Sequence, residues 1–292
     1  MQNFQSVAPD HRLAPFVRCF AQRERMSNSP PVFQANTGML GNALAFDFCD
    51  LTIINSPAGV ANPRSPIALL GPQTRFGGFA CLRGHTLSFA IFFRPFALWQ
   101  LFGIPTAQLV DLDCEGTAVL GSWVAELWHK LGCSRTFTER VVTASETLLN
   151  FVQSVRPLTS IMCTVHRLLP SDKRALIGSV AHDSAMSRRS YERQFAREIG
   201  ISPQLFARLA RFKNAIDLRR MNKDPWVNIS SDLGYSDQMH MIRDFRIFGG
   251  DTPGRLVHAN SDINPWSIGN ALRGSQRVSK ENTVRGNEHQ NS

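Results

Sequence analysis

Two short stretches of this 292-residue chain carry side chains whose types and spacing suit the reading of DNA. In the first, Arg189, Glu192 and Arg193 share one face of a predicted helix over residues 187–199, with Tyr191, Phe195 and Ile199 forming the opposite, inward stripe. In the second, Met239, Arg243 and Arg246 stand opposite Met241, Phe245 and Phe248, which recur at i, i+4 and i+7. In a major groove a bidentate arginine matches guanine, glutamate accepts from the cytosine amino group, glutamine pairs with adenine and methionine touches the thymine methyl. Arg197, Arg208, Arg211 and Arg246 are read as phosphate contacts, which position a protein without reading sequence.

The elements that must hold these side chains form a unit that occurs twice. Residues 226–253 predict a helix, a turn at Gly234 and a second helix capped by Asp237. The first of these helices is expected to start after Asp224-Pro225 and to turn Val227, Ile229 and Leu233 inward. The earlier copy has a helix over residues 177–185, with Ile177, Val180 and Ala181 inward, then a second helix capped by Ser187. Ser187 and Asp237 are 50 residues apart. This is a helix-turn-helix layout, in which the second helix enters the major groove. A predicted helix from Pro203 to Asn222 joins the copies; its 20 residues span about 30 Å, close to one duplex turn of about 34 Å.

SRRSYERQFAREIGISP, the segment RFKNAIDL and GYSDQMHMIRDF resemble the bipartite DNA-binding domain of AraC/XylS-type transcription regulators. The resemblance covers about residues 173–256. It implies that one recognition helix from each half reads DNA, which places Arg189, Glu192, Arg193, Gln238, Met239 and Arg243 at the base edges. The sequence departs from the family pattern at three positions: Gly249 replaces a large apolar residue, Ser230 an alanine, and Ala185 a turn glycine.

Charge supports a polyanionic partner. The chain carries 32 Lys and Arg against 23 Asp and Glu, and the part from Ser160 onward holds 20 against 13, a balance of +7. Six cysteines, Cys19, Cys49, Cys81, Cys114, Cys133 and Cys163, never approach closer than 19 positions in sequence. Reduced, mostly buried thiols are therefore expected, with no metal-ligand spacing. The opening MQNFQSVAPDHR lacks the basic and apolar regions of a signal peptide, and no apolar run reaches 18 residues. The expectation is a soluble cytoplasmic protein that does not enter a membrane.

The fold class expected is α+β. Leu44-Ala-Phe-Asp-Phe-Cys, Leu51-Thr-Ile-Ile, Ile67-Ala-Leu-Leu and Leu87-Ser-Phe-Ala-Ile-Phe-Phe read as strands, separated by Ser56-Pro57, Asn62-Pro63, Gly71-Pro72 and Gly77-Gly78 turns. An antiparallel barrel or sandwich follows, and the family resemblance favours a cupin-like barrel. The helical pair expected at residues 121–131 and 137–152 either covers the barrel or, as the resemblance implies, dimerises or contacts the DNA-binding domain. The division expected is a β-rich sensory or dimerisation domain with a helical appendage over residues 1–156, the bipartite helix-turn-helix domain over 157–256 with Thr159 opening its first helix, and a flexible tail over 257–292.

Phe89, Phe92, Phe93 and Trp99 could line an effector pocket or simply fill a core. His85 has no downstream partners for a cupin-type metal. No GxSxG, GxxxxGK[ST], HExxH or post-strand GxGxxG occurs, and the Asp237, His240, Asp244 group is read as a cap and an i, i+4 surface pair. The reading is therefore a non-enzymatic, sequence-specific transcription regulator without cofactor or metal, activation being what the resemblance implies. Its partners would be promoter DNA, RNA polymerase, an unknown small-molecule effector and a second copy of the chain. The alternatives are a nonspecific DNA-binding protein and a cupin-type metal enzyme with a DNA-binding appendage.

Overall fold

The computed structural model describes residues 2–28, 30–157, 159–168, 186–222 and 224–259. The expected helix at 177–185 and the tail beyond Ala259 lie outside them. In chain order the strands are β1 (Gln2–Val7), β2 (Val17–Arg25), β3 (Val32–Ala35), β4 (Asn42–Asp47), β5 (Ile53–Asn55), β6 (Ala61–Pro63), β7 (Ile67–Leu70), β8 (Phe79–Leu82), β9 (Thr86–Phe93) and β10 (Asp113–Glu115). They form a six-stranded sheet, β1-β2-β9-β4-β7-β10, and a four-stranded sheet, β3-β8-β5-β6, antiparallel at every pairing.

Alternation along the strands assigns the faces of the larger sheet. Phe20, Leu44, Phe46, Phe89, Ile91 and Phe93 share one core with Val124, Leu127, Leu131 and Leu148. Their neighbours Cys19, Ala21, Ala43, Ala45, Ala90 and Phe92 form another. The first set thus meets helices, and the second, small except for Phe92, points toward the other sheet. The helices are α1 (Ala97–Phe102), α2 (Gly116–Leu120), α3 (Trp123–Cys133) and α4 (Phe137–Val152). Thr136 and Glu139 close a capping box at the start of α4. Arg140 of α4 donates to Gln22 of β2 at 2.8 Å, so the helical pair covers the sheet.

The C-terminal part is helical: α5 (Ser160–Leu168), α6 (Arg188–Ile199), α7 (Pro203–Asn222), α8 (Trp226–Asp232), α9 (Gln238–Gly249) and α10 (Pro253–Ala259). Its core gathers Phe195, Ile199, Phe206, Leu209, Phe212, Met241, Phe245 and Phe248, and Leu40 and Phe96 from the β-rich part belong to the same cluster. The two parts therefore share apolar surface. Gly249, which departs from the family pattern, has a packing reason: a Cβ there would stand 2.6 Å from Leu256 Cδ2 and 3.3 Å from the Phe212 ring.

Three expectations need correction. Val227 is 60% exposed, because α8 turns only Ile229 and Ser230 inward. Pro225 rather than Asp224 occupies the N-cap of α8, and the Asp224 carbonyl accepts from Arg219 Nη1 at 2.7 Å. All six cysteines are free, as expected, but Cys49, Cys133 and Cys163 are exposed.

Lys213 of α7 sits among Arg18 and Cys19 of β2 and Asp217 of its own helix. Burial, helped by the Arg18 charge and opposed by Asp217 and Cys19, pulls its ammonium down to about 7. Above that value the native lysine has released a proton that the unfolded chain keeps up to its ordinary value near 10.5, so this group makes stability rise with pH through that window. Denaturant titrations of wild type and Lys213→Met from pH 6 to 10 should show the rise in the former and a flatter profile in the latter. Parallel profiles would mean that Lys213 does not titrate in this range.

Candidate nucleic-acid interface

The two candidate reading helices are built alike. The Ser187 side chain accepts from the Ser190 N–H at 3.3 Å at the start of α6, and the Asp237 carboxylate accepts from the His240 N–H at 2.6 Å at the start of α9. The His240 N–H bond holds the Asp237 carboxyl below its ordinary value. Each helix runs 12 residues and ends on a left-handed glycine, Gly200 at φ 97° and Gly250 at φ 78°. A side chain with a Cβ would be strained at either glycine.

Between caps and glycines the stripes divide as the spacing predicts. Tyr191, Phe195 and Ile199 are buried on α6, and Met241, Phe245 and Phe248 on α9. Arg189, Glu192 and Arg193 are exposed on the first helix; Gln238, Met239 and Arg243 are exposed on the second. Met239, 53% exposed, is an apolar side chain open to solvent beside charged ones, as a thymine-methyl contact would need. Arg188, a residue the spacing did not single out, lies 3.0 Å through Nε from Glu192 Oε1 in an exposed i, i+4 pair. Such a pair is worth little in water and can open for a base or phosphate.

The four arginines read as phosphate contacts stand in different settings. Arg246 is exposed on α9. Arg197 is exposed too, with its guanidinium 4.6 Å above the Trp99 ring of α1. Arg211 lies 5.2 Å over the ring of Tyr235. Arg208 turns into the domain, placing Nη2 2.7 Å from Asp244 Oδ1 and its guanidinium 5.4 Å from the Phe248 ring. The expected surface pair of His240 and Asp244 is corrected accordingly. Asp244 falls between Met241 and Phe245 on the inward stripe and is wholly buried, while His240 Nδ1 meets Ser236 Oγ at 3.2 Å.

The space between the sheets contains a cavity of about 160 Å³, lined from both sheets by Ala35, Ala43, Ile54, Ala80 and Phe92 with Arg23 and Arg64. Small side chains at the inward positions leave that space open. Phe92 therefore lines a cavity, whereas Phe89 and Phe93 face the helices. Trp99 lies instead beneath Arg156 and Arg197. His85 is 3.8 Å from Glu24, and among the described residues no group of three or more His, Cys, Asp or Glu could hold a metal ion. Among the same residues no helix is long and apolar enough to cross a membrane.

Two capped helices of equal length stand 50 residues apart, with α7 and α8 between them, and α8 and α9 form a helix-turn-helix pair. Residues 180–259 match the family described as helix-turn-helix domain, and this part of the chain is a helix-turn-helix domain of the AraC type. That makes the chain, in class, a DNA-binding transcription regulator. Residues 5–115 match a domain family of unknown function, DUF6597. Among curated proteins none matches the chain. The chain is similar to the crystal structure of ToxT from Vibrio cholerae O395, at 11% identity over 89% of this chain and 99% of that one, with a TM-score of 0.44. It is also similar to ToxT bound to (E)-4-(8-methylnaphthalen-1-yl)but-3-enoic acid, at 12% identity over 87% and 98% with a TM-score of 0.42, and to unsaturated fatty acid-bound ToxT from strain SCE256, at 10% over 82% and 99% with 0.41.

Proposed function

We propose that this protein is a sequence-specific transcription activator of the cytoplasm, and that α6 and α9 read two successive major-groove segments of promoter DNA. The observation that carries this is the repeat itself. Two helices of the same length and capping expose Arg189, Glu192 and Arg193 on one and Gln238, Met239 and Arg243 on the other, each over an aromatic inner stripe. Arg246 and Arg197, both exposed, supply phosphate contact; Arg208 is held by Asp244 and serves the fold. In this reading residues 1–156 sense or dimerise and 157–256 bind DNA. The inter-sheet cavity is the place for a small-molecule effector, and activation runs through contact with RNA polymerase.

Arg189→Ala and Arg243→Ala should each weaken binding to the preferred site by about 1–3 kcal/mol and relax the preference at one base pair. Arg246→Ala should weaken preferred and random duplexes alike and lower the salt dependence. Electrophoretic titrations on single-substituted duplexes measure both effects. Unchanged affinity and preference in both base-reader variants would remove α6 and α9 from the groove.

A further inference from the structure

The last carbonyls of a helix have no partner within it. In α6 and α9 the first of these, Ala196 and Arg246, accept from their own cap glycines, Gly200 at 2.9 Å and Gly250 at 3.2 Å. The pair two positions on is different. The Glu198 carbonyl accepts from the Thr106 hydroxyl at 3.2 Å, and its counterpart 50 residues on, the Phe248 carbonyl, accepts from the Gly38 N–H at 2.7 Å. Beside it the Ile247 carbonyl accepts from the Phe76 N–H at 2.7 Å. All three donors come from the β-rich domain. The cap glycines repeat the pattern: a Cβ on Gly200 would stand 3.0 Å from the Thr106 methyl, and one on Gly250 2.6 Å from the Phe76 ring.

Equivalent points on both reading helices thus rest on one body, and their first turns, with Arg189, Glu192, Gln238 and Met239, stay exposed. A 12-residue helix is a lever of about 18 Å, so a tilt of about 10° at its held end moves the reading end by about 3 Å. That is close to the rise of one base pair, ~3.4 Å.

We propose that the N-terminal domain sets the spacing at which the two helices read DNA, with Thr106, Gly38 and Phe76 as positioning residues. This rests on the proposed reading of α6 and α9. Such a role differs from merely joining an effector domain to a DNA-binding one: the β-rich domain becomes part of the ruler that measures the distance between half-sites. It also differs from masking, since the docked helices present their base readers to solvent.

The test uses the full-length chain and its preferred duplex with zero, one, two or three base pairs inserted between half-sites. Each insertion rotates one half-site by about 34° and moves it by about 3.4 Å, so wild type should lose on the order of tenfold in affinity by two insertions. In Gly38→Val with Thr106→Val, a wedge at one dock and a lost donor at the other, the same insertions should change affinity by no more than about threefold, with the parental site bound more weakly. Thr106→Ser, which keeps the hydroxyl, should retain the wild-type profile. Thermal unfolding verifies that the double variant is folded; if it is not, Thr106→Val alone should flatten the profile part-way. A spacing profile identical to wild type in the folded variants would show that the DNA-binding domain positions its own helices. Tighter binding to the parental site would show that the dock restrains rather than aligns. Wild type without any site preference would sink the proposed function and this inference together.

Discussion

We expect Phe245→Ala to lower the free energy of unfolding by about 3–5 kcal/mol. Phe245 is wholly buried, with its ring 4.9 Å from Phe212 and 5.4 Å from Trp226, so truncation leaves a void bounded by rings on two helices, α7 and α8. These helices cannot close the gap without moving α9, whose end is also tied to Gly38 and Phe76. Phe195→Ala should behave alike in the first half, where the ring meets Tyr191 at 5.9 Å and Phe206 at 5.6 Å. Chemical denaturation reads both losses. Wild-type stability in both variants would mean that the inner stripes do not hold the reading helices.

The second large effect is electrostatic. Arg208→Ala should cost about 3 kcal/mol, because it leaves the wholly buried Asp244 carboxylate without its cation, a loss that water entering where the 37% exposed arginine stood offsets only in part. The loss is one of solvation more than of attraction, and this separates it from a cavity effect. Replacing both partners by apolar residues of similar size, Arg208→Met with Asp244→Leu, should recover most of the stability. A double variant as unstable as Arg208→Ala would show that shape, or the stacking of the guanidinium on Phe248, matters more than the charge pair.

Among the described residues, local sequence rules disclosed most of the helical C-terminal part, because its information is local. The 3- and 4-residue stripes place Phe195 and Phe245, the Ser187 and Asp237 caps mark helix starts, and Pro203–Asn222 forms the joining helix with the expected bounds. Asp244 escaped because its partner is 36 residues away, and a carboxylate at that spacing ordinarily reads as surface. The same reason hid β2. Arg23 and Arg25 give that strand a charged texture, yet both are buried; Arg23 is satisfied by Gln34 at 2.6 Å and Thr52 at 2.9 Å, Arg25 by the Pro30 carbonyl at 2.7 Å. The polar part of the docking between the two domains left no periodic mark, since it runs through backbone N–H groups of Gly38 and Phe76 and one hydroxyl. The fate of the helical pair was equally open in sequence. An amphipathic stripe says that a face is covered and not by what, and α3 and α4 cover the six-stranded sheet.

The most direct test of the central claim is selection of duplexes from a random library by the full-length protein, followed by titration of the selected duplexes across salt concentrations. Two short half-sites about one helical turn apart, bound on the order of a thousandfold more tightly than random sequence at physiological salt, are the expected result. Selected duplexes with no common sequence, bound no more tightly than random DNA and released alike as salt rises, would contradict the assignment of α6 and α9 as base readers.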